Sequence, residues 1–293
     1  MKLQGPMVAL ATPFKGGALD LESYRSLIRF QLDNGTEGLV PMGTTGEAVT
    51  MSPDEQFQAV RTAVEVAGGK VPVIGGAGSN STAATVENVR RVREAGADGT
   101  LIVTPYYNKP TQDGLVAHYR AIAKAHPGFP IVAYNVPGRT GVDLLPETCL
   151  KLCDIPEVVA IKEATASMIR MVDILEKCGK ERLALLSGDD FTIAPFIALG
   201  GRGVISVSAN CAPRMLSDLV RAALAGDFAK ASGLQVRLNA LHRALFLESN
   251  PIPIKAALNL MGRFGPEIRL PLTYLSEGPL AKLKEALREL GIL

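Results

Sequence analysis

The chain has 293 residues, 47% of them apolar, enough to bury one large core or two ordinary ones, and it is not a disordered sequence. Its 31 basic and 29 acidic residues are spread along the chain and leave a formal charge of +2, which argues against a polyanion-binding surface and a nucleic-acid partner. The N-terminal Met-Lys-Leu-Gln-Gly-Pro-Met has no long apolar segment, and no stretch holds about 18 uninterrupted apolar residues, so the expectation is a soluble, cytoplasmic protein with no membrane partner.

Eight apolar runs rich in β-branched residues follow one another: Val8–Thr12, Gly38–Met42, Val71–Gly75, Gly99–Thr104, Pro130–Tyr134, Val158–Lys162, Leu183–Ser187 and Val204–Ser208. Their starts lie 21 to 33 residues apart, which suits one β-α unit per step. Between them, Leu21–Asn34, Asp54–Ala67, Thr82–Glu94 and Asp113–His126 have helical spacing and caps; Ser52-Pro53 is an N-cap followed by proline at the first helical position. Eight units predict an α/β fold, a (β/α)8 TIM barrel over residues 1–225, with an open doubly wound sheet as the alternative. Beyond it, Phe228, Ala231, Leu234, Leu238, Leu241 and Leu245 repeat at helical spacing. Asn250-Pro251-Ile252-Pro253 breaks the pattern, and Leu280, Leu283, Leu287 and Leu290 mark a last amphipathic helix. Residues 226–293 are therefore expected as a C-terminal helical extension packed on the barrel.

The sixth run carries a lysine, Lys162, where a core tolerates no free charge. Either the strand stops at Ile161 and Lys162 reaches solvent, or burial lowers its pKa and leaves a nucleophilic amine able to form a Schiff base. Barrel chemistry sits at the C-terminal strand ends, so the residues after each run matter most. After the second comes Gly43-Thr44-Thr45-Gly46-Glu47, a turn whose hydroxyls and amides suit a carboxylate but which also reads as an ordinary β-to-α turn. Gly76-Ala77-Gly78-Ser79-Asn80-Ser81 has serine where the last glycine of a dinucleotide fingerprint belongs. Tyr106 and Tyr107 follow the fourth run, as proton-relay phenols or as interface packing. The fifth ends with Tyr134 and then Gly138-Arg139-Thr140-Gly141, whose arginine is either a bidentate carboxylate partner or a surface charge. The seventh ends Ser187-Gly188-Asp189-Asp190, whose acids could instead cap a helix near Phe191. His118, His126 and His242 lie in expected helices without metal-site or triad pairing. Cys149, Cys153, Cys178 and Cys211 form no CxxC pair and are expected as reduced packing thiols, although Cys149 and Cys153 share a helix face at i, i+4.

Taken together, Gly43–Glu47, Tyr106-Tyr107-Asn108, Tyr134–Gly141, Ile161-Lys162-Glu163, Ser187–Asp190 and Asn250–Pro253 resemble the dihydrodipicolinate synthase family of class I pyruvate aldolases, over nearly the whole chain. The resemblance implies a lyase that condenses pyruvate with L-aspartate-4-semialdehyde to 4-hydroxy-tetrahydrodipicolinate in lysine and diaminopimelate biosynthesis. By the same resemblance, Lys162 would hold pyruvate as an imine, with no metal and no organic cofactor. Tyr134, Thr44 and Tyr107 would form a proton relay, Tyr107 reaching in from a neighbouring subunit of a homotetramer. Thr45 and the backbone of Ile205 would bind pyruvate, Gly188 would line the pocket, and Arg139 would receive the aldehyde's carboxylate. Members inhibited by lysine present histidines and a glutamate where this chain has Pro53, Gln56 and Ala84, so feedback is expected to be weak or absent. The rival readings are a sialic-acid or 2-keto-3-deoxy sugar-acid lyase and a non-catalytic barrel that binds a carbonyl metabolite.

Overall fold

A computed structural model of the chain describes residues 3–179 and 181–293. Eight parallel strands are present: β1 (Gly5–Ala9), β2 (Gly38–Val40), β3 (Ile74–Gly76), β4 (Gly99–Val103), β5 (Ile131–Asn135), β6 (Val158–Glu163), β7 (Ala184–Ser187) and β8 (Gly203–Ser206). They neighbour one another in the order β2-β1-β8-β7-β6-β5-β4-β3. The ring is completed between β2 and β3 by the Leu39–Val73 bridge and by the amides of Leu39 and Gly76, which donate to Pro72 and Pro41 at 2.9 Å each. The expected TIM barrel is therefore present and the open sheet is set aside. A side chain at Gly76 would place its Cβ 1.9 Å from the carbonyl of Met42, so the β2–β3 seam needs glycine there.

Each strand is followed by a helix: α1 (Leu21–Asp33), α2 (Pro53–Ala67), α3 (Thr82–Glu94), α4 (Gln112–Ala125), α5 (Pro146–Leu152), α6 (Met168–Cys178), α7 (Ile193–Ala198) and α8 (Pro213–Leu224). Ser52 accepts from the Glu55 amide while the Glu55 carboxylate accepts from the Ser52 amide, closing the capping box that starts α2. Alternation along the strands sorts the core into two layers. Val158 and Ile161 of β6 face the helices. Ala160 faces the barrel axis, where Met7, Val40, Ile74, Leu101, Val132, Leu186 and Ile205 fill the interior from the other seven strands.

The strands match the expected runs with shifted ends. The largest difference is β1, which begins at Gly5 because the Gly5 amide reaches the Arg202 carbonyl and residues 5–8 pair with 203–206 of β8; glycine and proline there look like loop residues in the sequence. After α8 the chain continues as α9 (Phe228–Leu245), α10 (Ile252–Leu260) and α11 (Glu277–Glu289). Leu238, Leu241, Leu245, Ile254, Leu258, Leu283 and Leu287 join the same outer core as the barrel helices. Helix α10 corrects the reading of Asn250–Pro253 as only a break: Pro253 sits in its first turn, where a missing N–H costs nothing.

Candidate active site

Lys162 is 6% exposed, so the solvent-reaching alternative fails. Residues 158–163 of β6 keep a lysine on the axial side because Tyr134 of β5 is its register partner, and the ammonium nitrogen stands 4.2 Å from the centre of the tyrosine ring. Burial pushes the Lys162 amine down to about 8, against the opposing pull of Asp190 and with help from the positive Arg139. Burial also pushes the Tyr134 phenol up to about 12, while Arg139 and a hydrogen bond with the Thr44 hydroxyl act the other way. The pair is thus a largely protonated phenol beside an amine that is partly neutral near pH 7, suited to attack on a carbonyl and to moving a proton at the resulting carbinolamine.

Gly188 lies behind the lysine stem. A Cβ there would stand 3.1 Å from both Cγ and Cε of Lys162 and 2.7 Å from the Cβ of Ala164. Gly188→Ala is expected to displace the amine and slow imine formation on the order of 10- to 100-fold, and to lower thermal stability because the contact with the Ala164 Cβ forces the strand ends apart, as read from borohydride-trapped adduct and a melting curve.

Beside Tyr134 opens a cavity of about 280 Å³, lined among others by Thr44, Tyr106, Tyr134, Arg139 and Asn250. Thr44 and Thr45 sit on a single 3-10 turn after β2. Thr45 is buried and its hydroxyl accepts from Asn250 Nδ2 at 3.0 Å, while the Asn250 carbonyl accepts from Arg139 Nη2 at 3.2 Å. Asn250 therefore joins two predicted substrate contacts that come from different strand ends. Its Oδ1 is buried without a protein partner, an acceptor left over for a donor that enters the cavity.

The turn is fixed from the C-terminal helices. Glu47, in left-handed backbone at φ 54, is buried against the ammonium of Lys255 in α10 and accepts from the Arg269 amide at 3.0 Å. Burial pushes Lys255 down while Glu47 pulls it up. The Arg269 guanidinium bonds the Thr50 carbonyl at 3.0 Å and Glu55 at 2.9 Å, which holds Glu55 down at about 2. Next to the lysine, buried Glu163 accepts from Asn135 and Arg170, at 3.0 Å each. Arg170 also bonds Asp143 at 2.9 Å, tying the ends of β5 and β6 together. Asp190 accepts from the Val207 and Ser208 amides at 3.1 and 2.8 Å and from the Ser208 hydroxyl at 2.7 Å, so it braces the turn after β8. Only Asp189 acts locally, receiving the Thr192 hydroxyl at 2.7 Å.

Of the residues expected at the site, Lys162, Tyr134, Thr44, Thr45, Arg139 and Gly188 come together. Ile205 is buried in the barrel interior, and its side chain is packing. Tyr107 stands 88% exposed with φ 74, pointing away from its own chain's cavity, which Tyr106 lines instead; the two adjacent phenols are not buried together. Of the histidines, His126 ends α4 rather than lying in it; its Nε2 pairs with the Val86 carbonyl at 2.8 Å, and all three are buried, as packing rather than surface groups. Asn250, Glu47, Lys255 and the Glu163–Arg170–Asp143 network escape local sequence reading. Their partners lie from 7 to 208 residues away, and a charged residue in an expected strand was the one signal available.

Compared with known proteins, residues 2–290 match the model of the dihydrodipicolinate synthetase family. The chain is 53% identical over 291 residues to the 4-hydroxy-tetrahydrodipicolinate synthase of Anaeromyxobacter sp. (strain Fw109-5), covering 99% of this chain and 98% of that one. Its fold superimposes with a TM-score of 0.97 on the chloride-inhibited dihydrodipicolinate synthase of Acinetobacter baumannii in complex with pyruvate, at 44% identity and with both chains fully covered. A dihydrodipicolinate synthase variant described as monomeric gives the same TM-score of 0.97 at 44% identity, over 99% of this chain and 98% of that one.

Proposed function

The chain belongs to the dihydrodipicolinate synthetase family, and from that premise we propose how its residues carry out the reaction. The activity is that of a lyase condensing pyruvate with L-aspartate-4-semialdehyde to 4-hydroxy-tetrahydrodipicolinate. Lys162 attacks the pyruvate ketone and holds it as an imine; the protonated imine is the electron sink for the enamine, in place of a metal or organic cofactor. Tyr134 gives and takes the proton at the carbinolamine, oriented by Thr44. Thr45 and backbone groups near Ile205 hold the pyruvate carboxylate, and Arg139 receives the carboxylate of the incoming aldehyde. The observation that carries this reading is the buried Lys162 in register with Tyr134, which lines the same cavity as Asn250 and Arg139.

Tyr107 completes the relay of a neighbouring subunit in a homotetramer. Its 88% exposure on the single chain supports a role outside its own cavity. No helix among the described residues is long and apolar enough to cross a membrane, and the proposed location is the cytoplasm.

Turnover of pyruvate with aspartate semialdehyde, against no turnover of N-acetylneuraminate, tests the assignment; failure with the first pair would reopen the aldehyde. Arg139→Ala is expected to raise KM for the aldehyde by about 10- to 100-fold while pyruvate is still trapped on Lys162 by borohydride. Loss of trapping as well would place Arg139 at the wrong step. Feedback by lysine is proposed to be weak or absent. Gln56 spends its amide on the carbonyls of Ala48 at 2.7 Å and Met51 at 3.2 Å, and the side chains of Pro53 and Ala84 offer nothing to an ammonium; initial rates should change little at millimolar lysine, and clear inhibition would overturn this.

A further inference from the structure

The two strands that carry the catalytic pair are not in a uniform register. Ile131 of β5 pairs with Val158 of β6, but the next rung is Val132 with Ala160, so Val159 is an extra residue on β6. Carried on from the first rung, the register would set Tyr134 against Ile161; the bulge moves Lys162 into that place. Because side chains alternate along a strand, a slip of one residue would also turn the amine away from the barrel axis. The shifted register has to be held at the far end of the two strands.

That end carries a closed set of polar contacts. One rung beyond the catalytic pair, Asn135 faces Glu163, and its Nδ2 donates to Glu163 Oε2 at 3.0 Å. Both side chains are buried, and with Lys162 axial they point toward the helices. There Arg170 of α6 donates through Nε to the same Glu163 oxygen at 3.0 Å and through Nη1 to Asp143 Oδ2 at 2.9 Å. The second hydrogen of Asn135 Nδ2 goes to Asp143 Oδ1 at 2.9 Å, the Leu144 amide donates to Asn135 Oδ1 at 2.9 Å, and the Thr165 amide donates to Glu163 Oε1 at 2.8 Å. Every side-chain polar atom of Asn135 and Glu163 is bonded. The Arg170 and Glu163 side chains are 12% and 2% exposed, so removing the arginine would leave a buried carboxylate without its counter-charge.

We propose that Arg170 is a positioning residue for the imine step: through Glu163 and Asn135 it locks the shifted β5–β6 register that sets Lys162 against Tyr134. This role rests on the reading of Lys162 as the nucleophile. Arg170 does not line the catalytic cavity, so it acts on the amine only through the strand ends. The backbone carries that action: the Glu163 carbonyl accepts from the Gly188 amide at 2.7 Å, and the Asn135 carbonyl accepts from the Ala164 amide at 3.0 Å. Gly188 and Ala164 are the residues packed around the lysine stem. Thr45 sits on the turn after β2, outside this set of contacts, so the grip on pyruvate does not depend on it.

The test follows the pyruvate adduct on Lys162 in the intact protein by borohydride quench and mass, below the melting transition of each variant. Arg170→Met should lower the maximal rate of adduct formation by about 10- to 100-fold, while the half-saturating pyruvate concentration moves by less than about threefold. Glu163→Gln and the double variant should be slowed to about the same extent as Arg170→Met, because each opens the same rung. Asp143→Asn, which leaves Arg170 bonded to Glu163, should melt lower yet keep its rate within about threefold of the parent. Should Arg170→Met not fold, Arg170→Lys is read in its place, since an ammonium lacks the fork that reaches Glu163 and Asp143 together. An Arg170→Met rate within about threefold of the parent, losses that multiply in the double variant, or an equal slowing by Asp143→Asn would each overturn the proposal. A parent protein that traps no pyruvate would instead overturn the nucleophile reading beneath it.

Discussion

Lys162→Ala is expected to lower kcat by on the order of 10⁴-fold or more and to abolish the mass gained when pyruvate is trapped with borohydride, because among the described residues Lys162 is the amine that stands over the Tyr134 ring. Lys162→Arg should be as inactive: it keeps a positive charge in the cavity, but a guanidinium does not deprotonate. This separates a nucleophile from a mere cation, since a lysine that only bound a carboxylate would be partly replaced by arginine. The pH dependence follows from the same burial. An amine held near 8 is about one-tenth neutral at pH 7, against about one in 2,500 at the ordinary value of about 10.4. Below its pKa the group is protonated and unreactive. The rate of imine formation should therefore climb with pH through about 8 and level off above it. A rate still climbing past pH 10 would mean that the strand does not desolvate the amine. Arg139→Ala should move the midpoint upward, because removing a nearby positive charge favours the ammonium.

Much of this site is legible because a barrel repeats one local pattern eight times. The reading of Val158–Lys162 as a strand ended one residue short of the observed β6, and strand-end logic then placed Tyr134, Thr44 and Lys162 at one mouth. Local patterns do not reveal what the polar residues between them contact. Glu47 reads as the end of a turn, yet it points inward to Lys255, 208 positions later in the chain. Asn250 reads as part of a break, yet it bonds Thr45 from 205 positions away. Such contacts depend on how the C-terminal helices return over the barrel mouth, which hydrophobic spacing does not encode.

The role of the C-terminal helices also explains why a loop turn can do precise work. Thr44 and Thr45 lie on a short 3-10 turn, a flexible element by itself. Two salt-bridged side chains, Lys255 and Arg269, anchor the segment that follows it at Glu47 and Glu55, so the hydroxyls are held by the packed extension rather than by the turn.

That rigidity is what Tyr134 requires. Tyr134→Phe removes only the phenol oxygen, and the ring keeps its place in the barrel interior beside Val132 and Leu186. The variant should fold normally and lose about 10²- to 10³-fold in kcat, the range for one positioned acid–base group. Its phenol is pushed up to about 12 by burial, so at neutral pH it acts as the proton donor to the departing carbinolamine hydroxyl and takes the proton back in the reverse step. The imine should still form on Lys162, only slowly, so single-turnover trapping would reach completion while steady-state turnover collapses. Thr44→Val should cost less, about tenfold, since Thr44 orients the phenol instead of replacing it. A double variant that loses no more than Tyr134→Phe alone would show that the two hydroxyls act as one relay. Turnover of Tyr134→Phe within threefold of the parent would remove Tyr134 from the chemistry and leave water as the proton carrier at Lys162.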